Sequence, residues 1–164
     1  RRLLRLHIEK EYGDFSYDHY LSLHRYLFRG IYPFAGKIRY TDIIKESTYF
    51  ARHEFIEANL TGILDKMNKQ VSLCTTKEEF AYFLSSFYLD LNMLHPFREG
   101  NGRAQREFIR EFVEVKSQSL PFGPLTLDYS KLDKMTVLNG TLGSSDEIVA
   151  NQILLGLVSP SKIR

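Results

Sequence analysis

An apolar stripe that runs into a histidine–proline pair and then a glycine-rich turn limits how this chain folds more than any other feature. Phe80, Phe83, Leu84, Phe87, Leu91 and Leu94 recur at steps of three and four, so they line one face of an amphipathic helix. Thr76-x-x-Glu79 ahead of them has the capping-box pattern. His95-Pro96 stops that helix, because the residue before a proline is pushed out of the α region. A further helix from about 102 to 116 is predicted by Phe108, Ile109, Phe112, Val113 and Val115. Between the two, Gly100 and Gly102 allow a sharp turn and a close approach of backbone to a ligand.

The rest of the chain reads as more helix around this pair. Tyr17, Tyr20, Leu21, His24, Leu27, Phe28 and Ile31 form one apolar face, with Ser16 or Asp14 as cap and Pro33 and Gly36 as its end. Ile56, Leu60, Ile63, Leu64 and Met67 form another. Residues 37 to 51 differ: Ile38 to Ile44 and Thr48 to Ala51 are rich in β-branched and aromatic residues around Lys45-Glu46-Ser47, which predicts a hairpin. A lone hairpin must lie on something or hang over a groove. Short helices are expected near 129 to 139 and 145 to 157, the second with Ser144-x-x-Glu147 as capping box. The expected class is all-α with one short β-hairpin. A length of 164 residues suits a single domain over 1–164, with a core at about 15–120 and C-terminal helices at 125–158.

Composition excludes several classes. Hydrophobic residues make up 43% and charged residues 26%, which argues against disorder. The net charge of +2 speaks against nucleic acid as the partner. No apolar run is long enough to span a membrane. The start, Arg1-Arg2-Leu3-Leu4-Arg5-Leu6, is too short for a signal peptide and reads as the interior of a helix, as if the chain began inside a longer protein. A single cysteine, Cys74, rules out an internal disulfide and fits a reducing compartment.

The chemistry concentrates in His95-Pro96-Phe97-Arg98-Glu99-Gly100-Asn101-Gly102-Arg103-Ala104-Gln105-Arg106. The free amides at the start of the second helix make an anion site by geometry and dipole. Arg103 and Arg106 share a helix face and offer two guanidinium forks suited to phosphate oxygens. Glu99 sets a carboxylate beside the same loop, the usual company of Mg²⁺ on a phosphate substrate. His95 has the unperturbed pKa of a base working near neutral pH. No Gly-x-x-x-x-Gly-Lys motif is present, so this is not a P-loop. His7, His19, His24 and His53 lack metal-ligand spacing and read as structural or surface residues. Lys37, Arg39 and Lys45 make a basic hairpin that could meet an acidic target, with a solvated flap as the preferred reading.

These residues carry a resemblance. His95 to Arg106 is similar to the signature of the Fic family, His-Pro-Phe-x-Asp/Glu-Gly-Asn-Gly-Arg-x-x-Arg, at every fixed position. Tyr17 to Arg39, with His24, Leu27, Phe28, Tyr32 and Ala35-Gly36-x-x-Arg39, resembles the opening of that family's core, and the hairpin sits where the family has its flap. The resemblance implies a Fic-fold helical bundle that transfers AMP from ATP, with Mg²⁺, to a Tyr, Thr or Ser hydroxyl of a target protein. By position, His95 would be the base and Glu99 the metal residue. Gly100, Asn101 and Gly102 would form the anion hole, with Asn101 also on the α-phosphate. Arg103 and Arg106 would clamp the β- and γ-phosphates, and Phe97 would anchor the loop in the core. Tyr49, Phe50 and Ala51 would be flap residues that align the target, with Met135 and Asn139 near the adenine.

The resemblance to toxin and effector members implies action in the cytoplasm, or in a host cell after delivery. Many family members also carry an inhibitory Ser/Thr-x-x-x-Glu-Gly/Asn helix. The only Glu here followed by Gly or Asn is Glu99, and His95 lies four before it. The expectation is that a separate antitoxin-like protein docks a glutamate at Arg106; an upstream helix or no such regulation are the alternatives. Rival functions are a Fic-type transferase using another nucleotide donor, and a nucleotide-binding or interaction module without turnover.

Overall fold

The computed structural model describes residue 2, residues 12–133 and residues 145–160. Helix α1 spans Tyr17–Phe28 and is capped by Ser16, whose Oγ accepts from the His19 amide at 3.3 Å. It stops three residues short of the expected face. Gly30 takes φ +78°, and the amides of Ile31 and Tyr32 both fold back onto the Phe28 carbonyl. Ile31 is left 60% exposed.

The hairpin is much shorter than its composition suggests. Strands β1 (Ile44–Lys45) and β2 (Thr48–Tyr49) pair antiparallel, Ile44 opposite Tyr49 and Lys45 opposite Thr48. Glu46 and Ser47, at φ +49° and +67°, make the turn, the paired left-handed conformation that matches strand twist. Residues 38–43 make no strand. The Arg39 amide is bound to the Pro96 carbonyl at 3.0 Å instead, and the Ile43 carbonyl accepts from the Phe50 amide just beyond β2.

Helix α2 (Ile56–Gln70) buries Ile56, Leu60, Leu64 and Met67 as the spacing requires. Helix α3 (Lys77–Leu94) starts with the Glu79 amide donating to Thr76 Oγ1 at 3.1 Å. The Glu79 carboxylate reaches back to the Thr75 amide at 3.0 Å, one residue further than in the simple capping box. Helix α4 (Asn101–Lys116) is predicted within one residue. Helix α5 (Asp146–Gly156) is capped by Ser145, which has the extended backbone a cap needs and whose Oγ accepts from the Ile148 amide; Ser144, read as the cap from Ser144-x-x-Glu147, lies outside the described residues. The helix expected at 129–139 is, in its described part, one 3₁₀ turn, Tyr129–Lys131. Met135 and Asn139, the expected adenine-side residues, lie outside the described residues. A second small sheet pairs β3 (Thr126–Leu127) with β4 (Leu157–Val158), too short to leave a period in the sequence.

Helix α3 is the centre of the packing and touches α2, α4 and α5. Tyr20, Phe80, Phe97, Phe108 and Phe112 are among the side chains it helps to enclose. Among the described residues no helix is long and apolar enough to cross a membrane.

Candidate functional site

The site forms where α3 ends and α4 begins. His95 closes α3 at φ +47°, ψ +63°, a left-handed conformation that costs a non-glycine residue on the order of 1 kcal/mol. Its amide still donates to the Leu91 carbonyl at 3.1 Å, so the ring swings off the helix end. Strain at such a position persists only when its surroundings hold it. Here the holder is Arg39, read from sequence as part of a solvated hairpin and in fact 2% exposed. Its guanidinium donates to the carbonyls of His95 (2.7 Å), Leu94 (3.2 Å), Thr41 (2.7 Å) and Ala51. It thus caps the negative end of α3 and ties it to both stems of the hairpin. Arginine is needed because only its planar fork reaches several carbonyls at once.

His24 does the same for the loop. It is fully buried, accepts from the Gly36 amide on Nδ1 at 2.9 Å and donates from Nε2 to the Glu99 carbonyl at 2.8 Å. One neutral tautomer satisfies both bonds, and burial lowers its pKa in keeping with that. Its ring stacks on Phe97 at 3.7 Å, and Phe97 is completely buried. Asn101 locks the turn from the other side: its Oδ1 accepts from the Phe97 amide at 2.8 Å and its Nδ2 donates to the Phe97 carbonyl at 2.6 Å. Its carboxamide therefore shapes the loop. Gly100, at φ +80°, packs so tightly that a Cβ there would lie 2.5 Å from the Phe28 ring.

Above this base is a cleft of about 340 Å³. Helix α4 contributes Asn101, Gly102, Arg103 and Arg106 to it, and the loop contributes His95, Glu99 and Gly100. The sequence reading missed three further lining residues: Phe28, Tyr32 and, from β1, Lys45. Phe28 left a trace in the sequence as part of the α1 face, and Tyr32 only as part of the family resemblance. The first amides of α4 have no side-chain cap, since Gly100 supplies none. Arg103 is exposed and forms no ion pair among the described residues. Arg106 is held at both ends: its carbonyl accepts from the Tyr129 hydroxyl at 2.7 Å, and its guanidinium neighbours the Tyr88 hydroxyl.

The Glu99 carboxylate is exposed and has no protein partner among the described residues, while its backbone is fixed by His24. No cluster of three metal-ligating side chains occurs among the described residues. The donor set therefore fits a hard cation held by one carboxylate, substrate phosphates and water, the common arrangement for Mg²⁺.

Burial, with the positive charges of Arg39 and Lys45, pushes the His95 pKa down to about 4. The Asn92 carbonyl beside the ring pulls weakly the other way without closing a hydrogen bond of normal geometry on the buried Nδ1. Phe50 lies flat on the ring at 4.0 Å. His95 is therefore neutral at pH 7 and lines the cleft. In an NMR titration of the free protein, the His95 ring proton is expected to shift near pH 4, and titration at the ordinary 6.5 would contradict this geometry. Because the unfolded state takes up this proton first, the group's contribution to stability falls as pH drops from 6.5 toward 4 and is constant above.

Of the three expected flap residues, Tyr49 is 73% exposed, whereas Phe50 is buried on His95 and Ala51 is half-buried. The amides of Phe50 and Ala51 are taken by the carbonyls of Ile43 and Met93.

The Fic/DOC family model matches residues 14–113. Protein adenylyltransferase VbhT of Bartonella schoenbuchensis is 40% identical over 137 residues, which are 77% of this chain and 29% of that protein. Probable protein adenylyltransferase y4lH of Sinorhizobium fredii is 33% identical over 134 residues, 80% of this chain and 66% of that one. The chain thus spans less than two thirds of either relative. Among solved structures, the N-terminal Fic domain of a putative cell filamentation protein with bound ADP, from Bartonella quintana, superposes with a TM-score of 0.77 at 20% identity, over 97% of this chain and 80% of that one. The BepC protein with bound AMPPNP, from Bartonella tribocorum, gives 0.72 at 18% identity, over 98% and 84%. At such identities the superpositions establish the fold. With the family model covering the helical core and the whole glycine loop, the chain belongs to the Fic/DOC family.

Proposed function

We propose that this chain transfers AMP from ATP to a hydroxyl side chain of a target protein. What carries the reading is one observation: a neutral histidine, an unpartnered carboxylate, uncapped helix amides and three cations converge on a single cleft. The first two relatives are named as adenylyltransferases, and two of the superposed structures hold ADP and AMPPNP.

In this mechanism the target hydroxyl oxygen attacks the α-phosphorus, and the bond to the bridging oxygen of the β-phosphate breaks. Pyrophosphate leaves, and the hydroxyl proton passes to His95 Nε2. The amides at Gly100 to Gly102 surround the oxygens that gain charge. Asn101 keeps those amides in place. Arg103 and Arg106 hold the β- and γ-phosphates and fix the line of attack. Glu99 would hold Mg²⁺, which would supply neutralisation of phosphate charge. The nearby phosphates raise the pKa of His95 from its low value in the free protein, which makes it a better acceptor once ATP is in place. Tyr49, on the exposed hairpin, guides the target segment. Arg106 is also where a carboxylate from a separate inhibitory helix would displace the γ-phosphate.

The direct test is incubation of the chain, Mg²⁺ and a cell lysate with ATP labelled at the α- or the γ-phosphate. Label on protein from α-labelled ATP only supports the reading. Label from neither, or from γ alone, overturns it; labelled UTP in parallel shows whether the donor base is adenine.

Lys45 supplies a further prediction. Lys45→Ala is expected to raise KM for ATP by about twofold to fivefold, the worth of one exposed charge near a phosphate, and the difference should shrink at high salt. An unchanged KM at low ionic strength would remove Lys45 from the phosphate site.

A further inference from the structure

The three basic residues of the 37–45 segment have separate fates. The charge of Arg39 is occupied by carbonyls, and Lys45 faces the phosphate cleft. Lys37 faces neither. It lines a second hollow of about 320 Å³ with Pro33, Phe34, Ile38, Tyr40 and Arg98, above the buried Arg39.

Arg98 sits between Phe97 and Glu99, so this hollow borders the catalytic loop. Its guanidinium carbon lies 5.4 Å from the centre of the Phe34 ring, and Phe34 is stacked on Tyr32 at 4.8 Å. The fork is thereby held in place while its N–H groups stay open. Neither Lys37 nor Arg98 makes an ion pair or side-chain hydrogen bond among the described residues, and no carboxylate lines the hollow. By contrast, Arg110 is paired with Glu107 and Glu114, and Arg52 with Glu54. Tyr40, 76% exposed, adds a large aromatic surface at the rim.

We propose that this hollow docks an acidic segment of the protein that receives the AMP, with its carboxylates on Arg98 and Lys37 and its apolar atoms on Phe34, Ile38 and Tyr40. The identity of the partner rests on the transfer reading above. A peptide fits better than a free phosphate. Phosphate sites are built from open backbone amides, and here the Lys37 amide is bound to the Phe34 carbonyl and the Arg39 amide to the Pro96 carbonyl. Aromatic walls around two separated cations match a side chain with its backbone, as in the cores of protein interfaces. The shared Arg98 brings the docked segment next to the loop that carries Glu99 and His95.

The test uses a fluorescein-labelled peptide with glutamates on both sides of a tyrosine, and the same peptide with glutamines. Anisotropy is measured with Mg²⁺ and AMPPNP present, so that the phosphate cleft is filled. The glutamate peptide is expected to bind at least about tenfold tighter than the glutamine peptide, and less tightly as salt rises. The Lys37→Gln/Arg98→Gln variant, and Arg98→Gln alone as a second variant, are expected to lose that preference while AMPPNP affinity and melting temperature stay at the wild-type values. Equal binding of the two peptides, an unaltered preference in both variants, or displacement of the peptide by inorganic phosphate at millimolar concentration would overturn the proposal. A wild-type chain that fails to bind AMPPNP would instead sink the transfer reading, and the peptide comparison would still decide the hollow.

Discussion

His95→Ala is expected to cut adenylyl transfer by at least about 10²- to 10⁴-fold while leaving ATP affinity within a few-fold of wild type. That range is what a positioned general base contributes. In the proposed mechanism the phosphates are held by other residues, so binding should survive: Arg103, Arg106, Lys45 and the α4 amides all line the cleft independently of the imidazole. Loss of the ring also removes its stacking with Phe50. Phe50→Ala, which keeps the imidazole, separates that packing effect from the loss of the base. The measurement is single-turnover transfer from α-labelled ATP together with calorimetric binding of AMPPNP. Transfer retained within about tenfold would rule His95 out as the base. ATP binding lost together with transfer would mean that the variant had collapsed the cleft.

Arg39→Ala is expected to destabilise the chain by about 3 kcal/mol, which for this length lowers the melting temperature by roughly 6–12 °C. Four carbonyls lose a charged donor, and each hydrogen bond of that kind contributes on the order of 1.5 kcal/mol or more. Part is regained, because a buried guanidinium without a carboxylate partner is itself costly and water can enter the space left behind. Transfer should fall as well, since the left-handed His95 backbone and the hairpin stems lose their common anchor. Arg39→Lys should recover only part of the stability, because an ammonium cannot span carbonyls from three segments. A melting temperature within about 1 °C of wild type would show that Arg39 is no anchor.

Arg39 marks the limit of what the one-dimensional pattern can reveal. It lies in a stretch with Lys37 and Lys45, and nothing in the spacing separates a buried cation from a solvated one. The difference arises because the end of α3 and the hairpin stem, far apart in sequence, meet and leave carbonyls that need a donor. His24 is a similar case. Its place on the α1 face was legible, but its bonds to Gly36 and Glu99 depend on how α1 packs against the loop. The hairpin was read too long because β-branched and aromatic residues favour any extended backbone, paired or not. The 3₁₀ turn at Tyr129–Lys131 and the cap at Ser145 show the usual uncertainty where helices are short and their ends are set by local geometry.

The sequence by itself determined the main helices, the break at His95-Pro96, the glycine turn and the twelve-residue segment on which the proposed phosphate chemistry rests. Each of these is local: helical period, proline sterics, glycine freedom and helix-end amides act over a few residues. Tertiary structure alone decided which cations are occupied and which face solvent or a cleft. It also decided that Phe50 lies on His95, and that burial with two nearby positive charges lowers the His95 pKa to about 4. Charge and dielectric act through space, and the distances that set them exist only once α3, α4 and the hairpin have come together.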